Sequence, residues 1–219
     1  MLTKQAAAAY FDVDGTLTPL TTMFELLLFD AGSSGRLAEG RAFLSGLRLA
    51  KAAGAPREET NRTYFRWWAG RSVVEVEELG REWFSAVPRS GLVFPDMASR
   101  VEWHRNRDHR IVLVSGSFAP ALQPFADYLR ADDVLTASAL VERGRYTGDI
   151  TEPMIGEGKA VAVAAHAAQH SLDLAASHGY GDDISDVPFL ELTGNRVIVN
   201  NPKLPTSAPG WSRRLLAEI

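Results

Sequence analysis

Two hydrophobic periods alternate along the chain, and the points where one gives way to the other define its organisation. Ala7 to Val13 is a short apolar run with aromatic and β-branched residues, stopped by Asp12-Val13-Asp14-Gly15-Thr16; it predicts a buried strand whose carboxyl end delivers two acids. From Thr21 to Val87 the spacing turns helical, with breaks at Gly32, Gly35, Gly54-Ala55-Pro56 and Gly70, which predicts four amphipathic helices joined by short turns. Strand patterning then resumes. A helix is expected over Asp96 to Arg107, an all-apolar strand over Ile111 to Val114 ending in Ser115-Gly116-Ser117, and a helix over Pro120 to Leu129. Val134 to Val141 and Tyr146 to Ile150 flank Glu142-Arg143-Gly144-Arg145 and predict a β-hairpin. Lys159 to His170 predicts a helix and Leu174 to Tyr180 a strand ending in Gly181-Asp182-Asp183. Ile184 to Leu192 predicts a further helix, and Val197 to Val199 the last strand before a proline-broken tail.

Strands alternating with helices specify an α/β fold, a doubly wound, mainly parallel Rossmann-like sheet with helices on both faces. The helical block interrupts it between the first and second strands, which divides the chain into a catalytic core (1–17 and 92–219) and an inserted all-helical cap (18–91). Phe43, Phe65, Trp67, Trp68, Trp83 and Phe84 are of the kind that fill a small helical core; Trp67 and Trp68 are the candidates to line a pocket facing the acids instead.

Composition adds exclusions. Apolar residues make up 46% of the 219, enough for a sizeable core, and 23 basic against 27 acidic residues leave a net charge of −4, against a protein built to cover phosphate backbones. The absence of cysteine excludes disulfides, thiolate zinc sites, iron–sulfur clusters and a cysteine nucleophile. No uncharged apolar run reaches the roughly 18 residues of a membrane span. A cytoplasmic monomer or homodimer without nucleic-acid or membrane partners is expected. In this setting the basic, aromatic stretch Trp103 to Arg110 reads as a solvated helix end, and His166 with His170, lacking the glutamate of a zinc-protease helix, as solvent-facing. Gly158-Lys159 does not complete a P-loop, since Pro153 stands at the upstream glycine position and Ala160 follows the lysine.

Three predicted strands end in Asp12 and Asp14, in Ser115, and in Asp182, Asp183 and Asp186, and in an open α/β sheet such ends share one crevice. Carboxylates gathered there stay ionised together only by sharing a cation or protons, and a hard divalent ion such as Mg²⁺ suits an all-oxygen set. Lys159 adds a fixed positive charge, and Ser115-Gly116-Ser117 a hydroxyl and backbone N–H donors. This inventory matches the requirements of phosphoryl transfer: a carboxylate nucleophile, a nearby acid, and neutralised equatorial oxygens.

Asp12-Val13-Asp14-Gly15-Thr16-Leu17-Thr18, Ser115, Lys159 and Gly181-Asp182-Asp183-Ile184-Ser185-Asp186 resemble, in order, the four motifs of the haloacid dehalogenase superfamily. The insert after the first motif, with Ser115-Gly116-Ser117-Phe118 and Gly156-Glu157-Gly158-Lys159, is similar to the subfamily containing phosphoserine phosphatases. The resemblance implies an Mg²⁺-dependent phosphomonoesterase acting on a small phosphorylated metabolite. Asp12 would be the nucleophile that becomes an aspartyl-phosphate, and Asp14 the general acid and later base. Mg²⁺ would be held by Asp12, the Asp14 backbone carbonyl and Asp182, with Asp186 and Asp183 behind them. Ser115, Gly116 and Lys159 would bind the phosphoryl group, with Thr16 beside them orienting Asp14. An aspartate at position 14 favours a phosphatase over a dehalogenase. Gly15 and Thr21 depart from the phosphoserine phosphatases, which carry Ser-Thr after the second acid and an early cap glutamate, and the cap's arginine motif is not found; Glu25, Arg62 and Arg66 offer other polar contacts. Two rivals stay open, a phosphotransferase or mutase using the same intermediate and a non-catalytic binder of phosphometabolites.

Overall fold

β1 (Ala8–Phe11) is hidden on both sides. Ala8 and Tyr10 join one hydrophobic cluster and Ala9 and Phe11 another, as the alternation of a central strand requires. In a computed structural model that describes residues 6–204, 209–214 and 216, β1 pairs with β2 (Arg110–Phe118) on one side and β6 (His178–Gly181) on the other. β3 (Asp133–Ala137), β7 (Asn195–Val199) and β8 (Trp211–Arg214) complete a sheet of order β3-β2-β1-β6-β7-β8, in which every pairing is parallel. Crossover helices cover its two faces. α5 (Pro95–Arg105) and α6 (Ala119–Leu129) put Met97, Val101 and Phe125 on the Phe11 side, while α7 (Glu157–Gln169) and α8 (Val187–Leu192) put Val163 and Phe189 on the Tyr10 side.

Four helices lie between β1 and α5 in the chain: α1 (Thr22–Ser33), α2 (Leu37–Ala52), α3 (Arg57–Phe65) and α4 (Val73–Ala86), with a 3-10 turn over Arg66–Trp68. They do not form a separate core. Phe65 and Trp68 pack on Phe118, each with ring centroids 5.3 Å apart, and Phe84 packs on Phe125 at 5.0 Å, so one hydrophobic cluster runs from the insert into the α/β layer. α4 meets the start of α6 at backbone contact: a Cβ on Gly80 would lie 2.0 Å from the Pro120 carbonyl oxygen, so only glycine fits.

Three strand expectations need correction. Val134 to Val141 is not one hairpin arm: β3 stops at Ala137 and pairs with β2, and only β4 (Ala139–Glu142) pairs with β5 (Arg145–Ile150), across a turn in which Arg143 and Gly144 both have positive φ. The strand expected from Leu174 begins only at His178, because Asp173 accepts the N–H groups of Ala175 and Ala176 and holds that stretch as a turn. β8 lies beyond Val199, in a polar segment without strand alternation. Among the described residues no helix is long and apolar enough to cross a membrane.

Candidate active site

Because β1, β2 and β6 run parallel, their carboxyl ends bring Asp12, Ser115 and Asp182 to one crevice. The chain turns sharply after β1, with Gly15 N–H donating to the Thr18 carbonyl at 2.8 Å. Gly15 has φ +87°, and a Cβ there would sit 2.5 Å from Asp182 Oδ2, so the turn excludes any side chain twice over. Lys159 reaches in from the first turn of α7, almost wholly buried, and donates to Asp12 Oδ1 and Asp186 Oδ1, both at 2.6 Å. Asp186 Oδ2 accepts the N–H groups of Asp182 at 3.1 Å and Asp183 at 3.0 Å, so this carboxylate anchors both the lysine and the loop after β6. Asp14 Oδ1 accepts the N–H of Thr22 at 3.1 Å, so the first residue of α1 orients the second acid. Between Ser115 and Phe118 the register of β2 against β3 shifts, which releases Gly116 and Ser117 from the ladder. Ser117 N–H donates to Ser115 Oγ at 3.1 Å, and Asn61 of α3 donates to the Gly116 carbonyl at 2.9 Å.

One buried cation among several buried acids leaves the site short of positive charge. Burial and, second, the charge of Asp12 push Asp14 up to about 7. Burial raises Asp12 to about 6 against the pull of Lys159, and burial with the charges of Asp12 and Asp186 raises Asp182 to about 8. Burial opposes the charge of Lys159, but the two aspartates outweigh it and hold its pKa above the usual range. Asp12, Asp182 and Asp186 each offer an oxygen, all within 4.8 Å of one another, so the donor set fits a hard divalent cation such as Mg²⁺.

A pH test follows from these shifts. Without a cation the folded acids hold protons that unfolded aspartates release near pH 3.9; the stability this gives is complete below that pH and lost as pH rises through about 6 to 8. A cation binds only after those protons leave. Mg²⁺ is therefore expected to raise the Tm of chelator-treated protein more at about pH 8 than at about pH 5.5. Equal rises at the two pH values would place the ion elsewhere.

Above the acids lies a cavity of about 470 Å³. Asp12, Asp14, Ser115, Gly116, Lys159 and Asp182 all line it, as do Asp183 and Asp186. Two residues are placed otherwise than expected. Thr16 is fully buried and absent from the cavity wall; its hydroxyl donates to Asp182 Oδ1 at 3.1 Å, while Asp14 takes its bond from Thr22. Asp183 is bonded across to α3 rather than set behind Asp182, accepting from Arg57 and from Ser185 N–H; burial alone would raise its pKa, but these donors bring it below the usual range. The insert's contribution also differs. Trp68 is buried against Phe118 and Trp67 donates to Asp30 at 2.8 Å, so neither reaches the cavity. Glu25 and Arg66 are likewise absent from its wall, and Arg62 donates to the Ile150 and Thr151 carbonyls. The wall instead carries Phe24, Tyr64, Asn61, Arg48, Lys51 and Arg57. The helical spacing of Arg48 and Lys51 on α2, three residues apart, is the one sequence signal that could have marked them.

Comparison with known proteins agrees with this fold. The sequence profile of the haloacid dehalogenase-like hydrolases matches residues 9–191. A probable phosphatase of Mycobacterium tuberculosis is 29% identical over 215 residues, covering 95% of this chain and 75% of the relative. A crystal structure of a protein of unknown function from Bordetella pertussis superposes with a TM-score of 0.81 at 26% identity, covering 91% of this chain and 92% of that one. The fold also superposes on a substrate-bound phosphoserine phosphatase, with a TM-score of 0.65 at 18% identity over 91% of this chain and 89% of that one.

Proposed function

Since the chain belongs to the haloacid dehalogenase-like hydrolases and is a phosphatase of that family, we propose that it hydrolyses a small, polyanionic phosphate monoester through an aspartyl-phosphate on Asp12, with Mg²⁺ as cofactor. The observation that carries this reading is Lys159 bridging Asp12 and Asp186 at the floor of the cavity, with Asp14 beside them.

Asp12 attacks phosphorus and the ester oxygen departs. Asp14, raised to about 7, is protonated in part at neutral pH; Thr22 N–H occupies its Oδ1, which leaves Oδ2 to carry the proton to the leaving oxygen. The same carboxylate then takes a proton from the water that attacks the aspartyl-phosphate. Lys159 has three N–H bonds and uses two on Asp12 and Asp186, which leaves the third for a phosphoryl oxygen. Ser115 Oγ–H and the Gly116 N–H complete the donors. Asp12, the Asp14 carbonyl and Asp182 would hold Mg²⁺, which when bound would supply charge neutralisation for the phosphoryl group. The helical segment 18–91 acts as the cap, and Arg57, which donates to Asp183 and Ser185, ties it to the loop bearing Asp182.

The cavity suits a metabolite rather than a polymer. Phe24, Met23 and Leu47 give it an apolar side, while Arg48 and Lys51 supply positive charge on the cap wall, which favours a substrate with a second anionic group beyond the phosphate. Phosphate release from a panel of phosphorylated acids, sugars, polyols and nucleotides, with and without chelator, tests the reading. Polyanionic esters are expected to have the highest kcat/KM, activity to require Mg²⁺, and added alcohols to leave phosphate release unchanged. Replacing Arg48 and Lys51 together by alanine is expected to lower kcat/KM for the best substrate by about 10- to 100-fold, mainly through KM. An unaltered preference would remove the two cations from the specificity site.

A further inference from the structure

At the amino-terminal end of the sheet, opposite the acids, three histidines face one another. His104, in the last turn of α5, is fully buried; His109 immediately precedes β2, and His178 opens β6. Ala8 pairs with Arg110 and Ala9 with His178, so the two strand-bound histidines flank the start of β1. The turn after α5 folds back, with His109 N–H donating to the His104 carbonyl at 3.2 Å. This brings the Nδ1 atoms of His104 and His109 to 2.9 Å, and one ring nitrogen from each of the three residues lies within 4.8 Å of the others. Trp103 stands edge-on to all three rings, with centroids 4.7, 6.1 and 5.7 Å from those of His104, His109 and His178.

We propose that His104, His109 and His178 form a second metal site, for a divalent transition ion of the Zn²⁺ class, separate from the acid cluster. Imidazole nitrogen suits zinc, nickel or copper, where the oxygen set above suits magnesium. Two nitrogens bound to a tetrahedral ion at about 2.0 Å lie about 3.3 Å apart, a short step from the observed 2.9 Å. The second nitrogen of His104, Nε2, lies 2.8 Å from Tyr180 Oη; when Nε2–H donates to the phenol, Nδ1 presents its lone pair to the cluster, the outer-shell support that metal-bound histidines use. Arg100 and Arg107 lie over Trp103 and oppose a cation; three nitrogen ligands leave a fourth position for water or an anion, and an anion there would offset those charges.

A second grouping, Asp133 with His166 and His170, lacks this readiness, because Arg110 donates to both oxygens of Asp133. Contrary to the solvent-facing expectation, His166 is buried there. The three-histidine site lies about 10 Å below Asp12, three residues along β1. Tyr180 links the two, its hydroxyl bonding His104 and its carbonyl accepting the Asp12 N–H at 2.9 Å.

The test is calorimetric titration of chelator-stripped protein with Zn²⁺ in saturating Mg²⁺, together with the visible spectrum of the Co²⁺ form. One Zn²⁺ per chain and the intense bands of tetrahedral, nitrogen-bound cobalt are expected. His109→Asn and His178→Gln are expected to lose this binding while keeping their metal-free Tm and Mg²⁺-supported phosphatase activity. Tyr180→Phe is expected to weaken it by about 10- to 100-fold, and Asp12→Asn to leave it intact. No uptake, binding that survives both histidine substitutions, binding lost in Asp12→Asn, or only the weak bands of oxygen-bound cobalt would each overturn the proposal. The cobalt spectrum of the unmodified protein decides the matter even if a histidine variant fails to fold.

Discussion

Asp12→Asn is expected to lower kcat by roughly 10⁴-fold or more, about 5 kcal/mol of lost transition-state stabilisation, while leaving the protein folded. The amide has nearly the shape of the carboxylate, and its oxygen can still accept from Lys159, which also keeps Asp186. The substitution removes one of the acids that repel Asp182, so Asp182 is expected to titrate lower than its present value of about 8. Steady-state kinetics beside a thermal melt separate loss of chemistry from loss of fold. If Asp12→Asn keeps more than a few per cent of wild-type kcat, the nucleophile lies elsewhere.

Lys159→Met is expected to damage activity and stability together. The lysine, Asp12 and Asp186 are all more than nine-tenths buried, and removing the cation strands two carboxylates without their partner. Breaking a buried ion pair from one side costs about 3–5 kcal/mol, which in a chain of this size lowers Tm by roughly 6–20 °C. The sign of its pH dependence is fixed by the same geometry. Without Lys159 the pull that lowers Asp12 is gone and this buried acid takes up a proton more readily in the folded state, so the loss is expected to be larger near pH 8 than near pH 5, where protonation removes its unpaired charge. Melts of wild type and variant across that range check it; a Tm difference independent of pH would mean that the lysine contributes only packing.

Much of the floor of the site was legible because Asp12, Ser115 and Asp182 stand at the ends of apolar runs, and parallel topology carries strand ends to one edge however far apart they are in sequence. The walls were not. Arg48 and Lys51 sit on exposed positions of α2, where a cation facing a cavity has the same sequence surroundings as one facing water. Thr22 acts through its backbone N–H, which no side-chain pattern marks. Trp67 and Trp68 were candidates for the pocket on size alone, but large aromatics follow burial, and Trp68 packs on Phe118 and Trp67 on Phe43 rather than on the cavity. His104 was hidden by its charged neighbours Arg105, Arg107 and Asp108, although Met97, Val101 and His104, all buried, follow the i, i+4, i+7 rhythm of an inward helix face. The extra strand β8 had no apolar alternation to announce it, since an edge strand needs only one covered neighbour.

The hydrophobic cluster shared by the helical insert and the α/β layer bears on how substrate preference can be re-engineered. Exchanging residues 18–91 for the equivalent segment of a relative would bring new side chains to the cavity wall, yet would leave Phe118, Phe125 and Tyr146 facing surfaces they do not match. Pro120 would impose the same demand on any incoming helix, since its carbonyl accepts only a glycine at the crossing. The transplantable unit is therefore larger than the insert: it comprises the four helices together with the start of α6 and the β4–β5 hairpin, and grafts that omit these seams are expected to lose solubility before they change specificity.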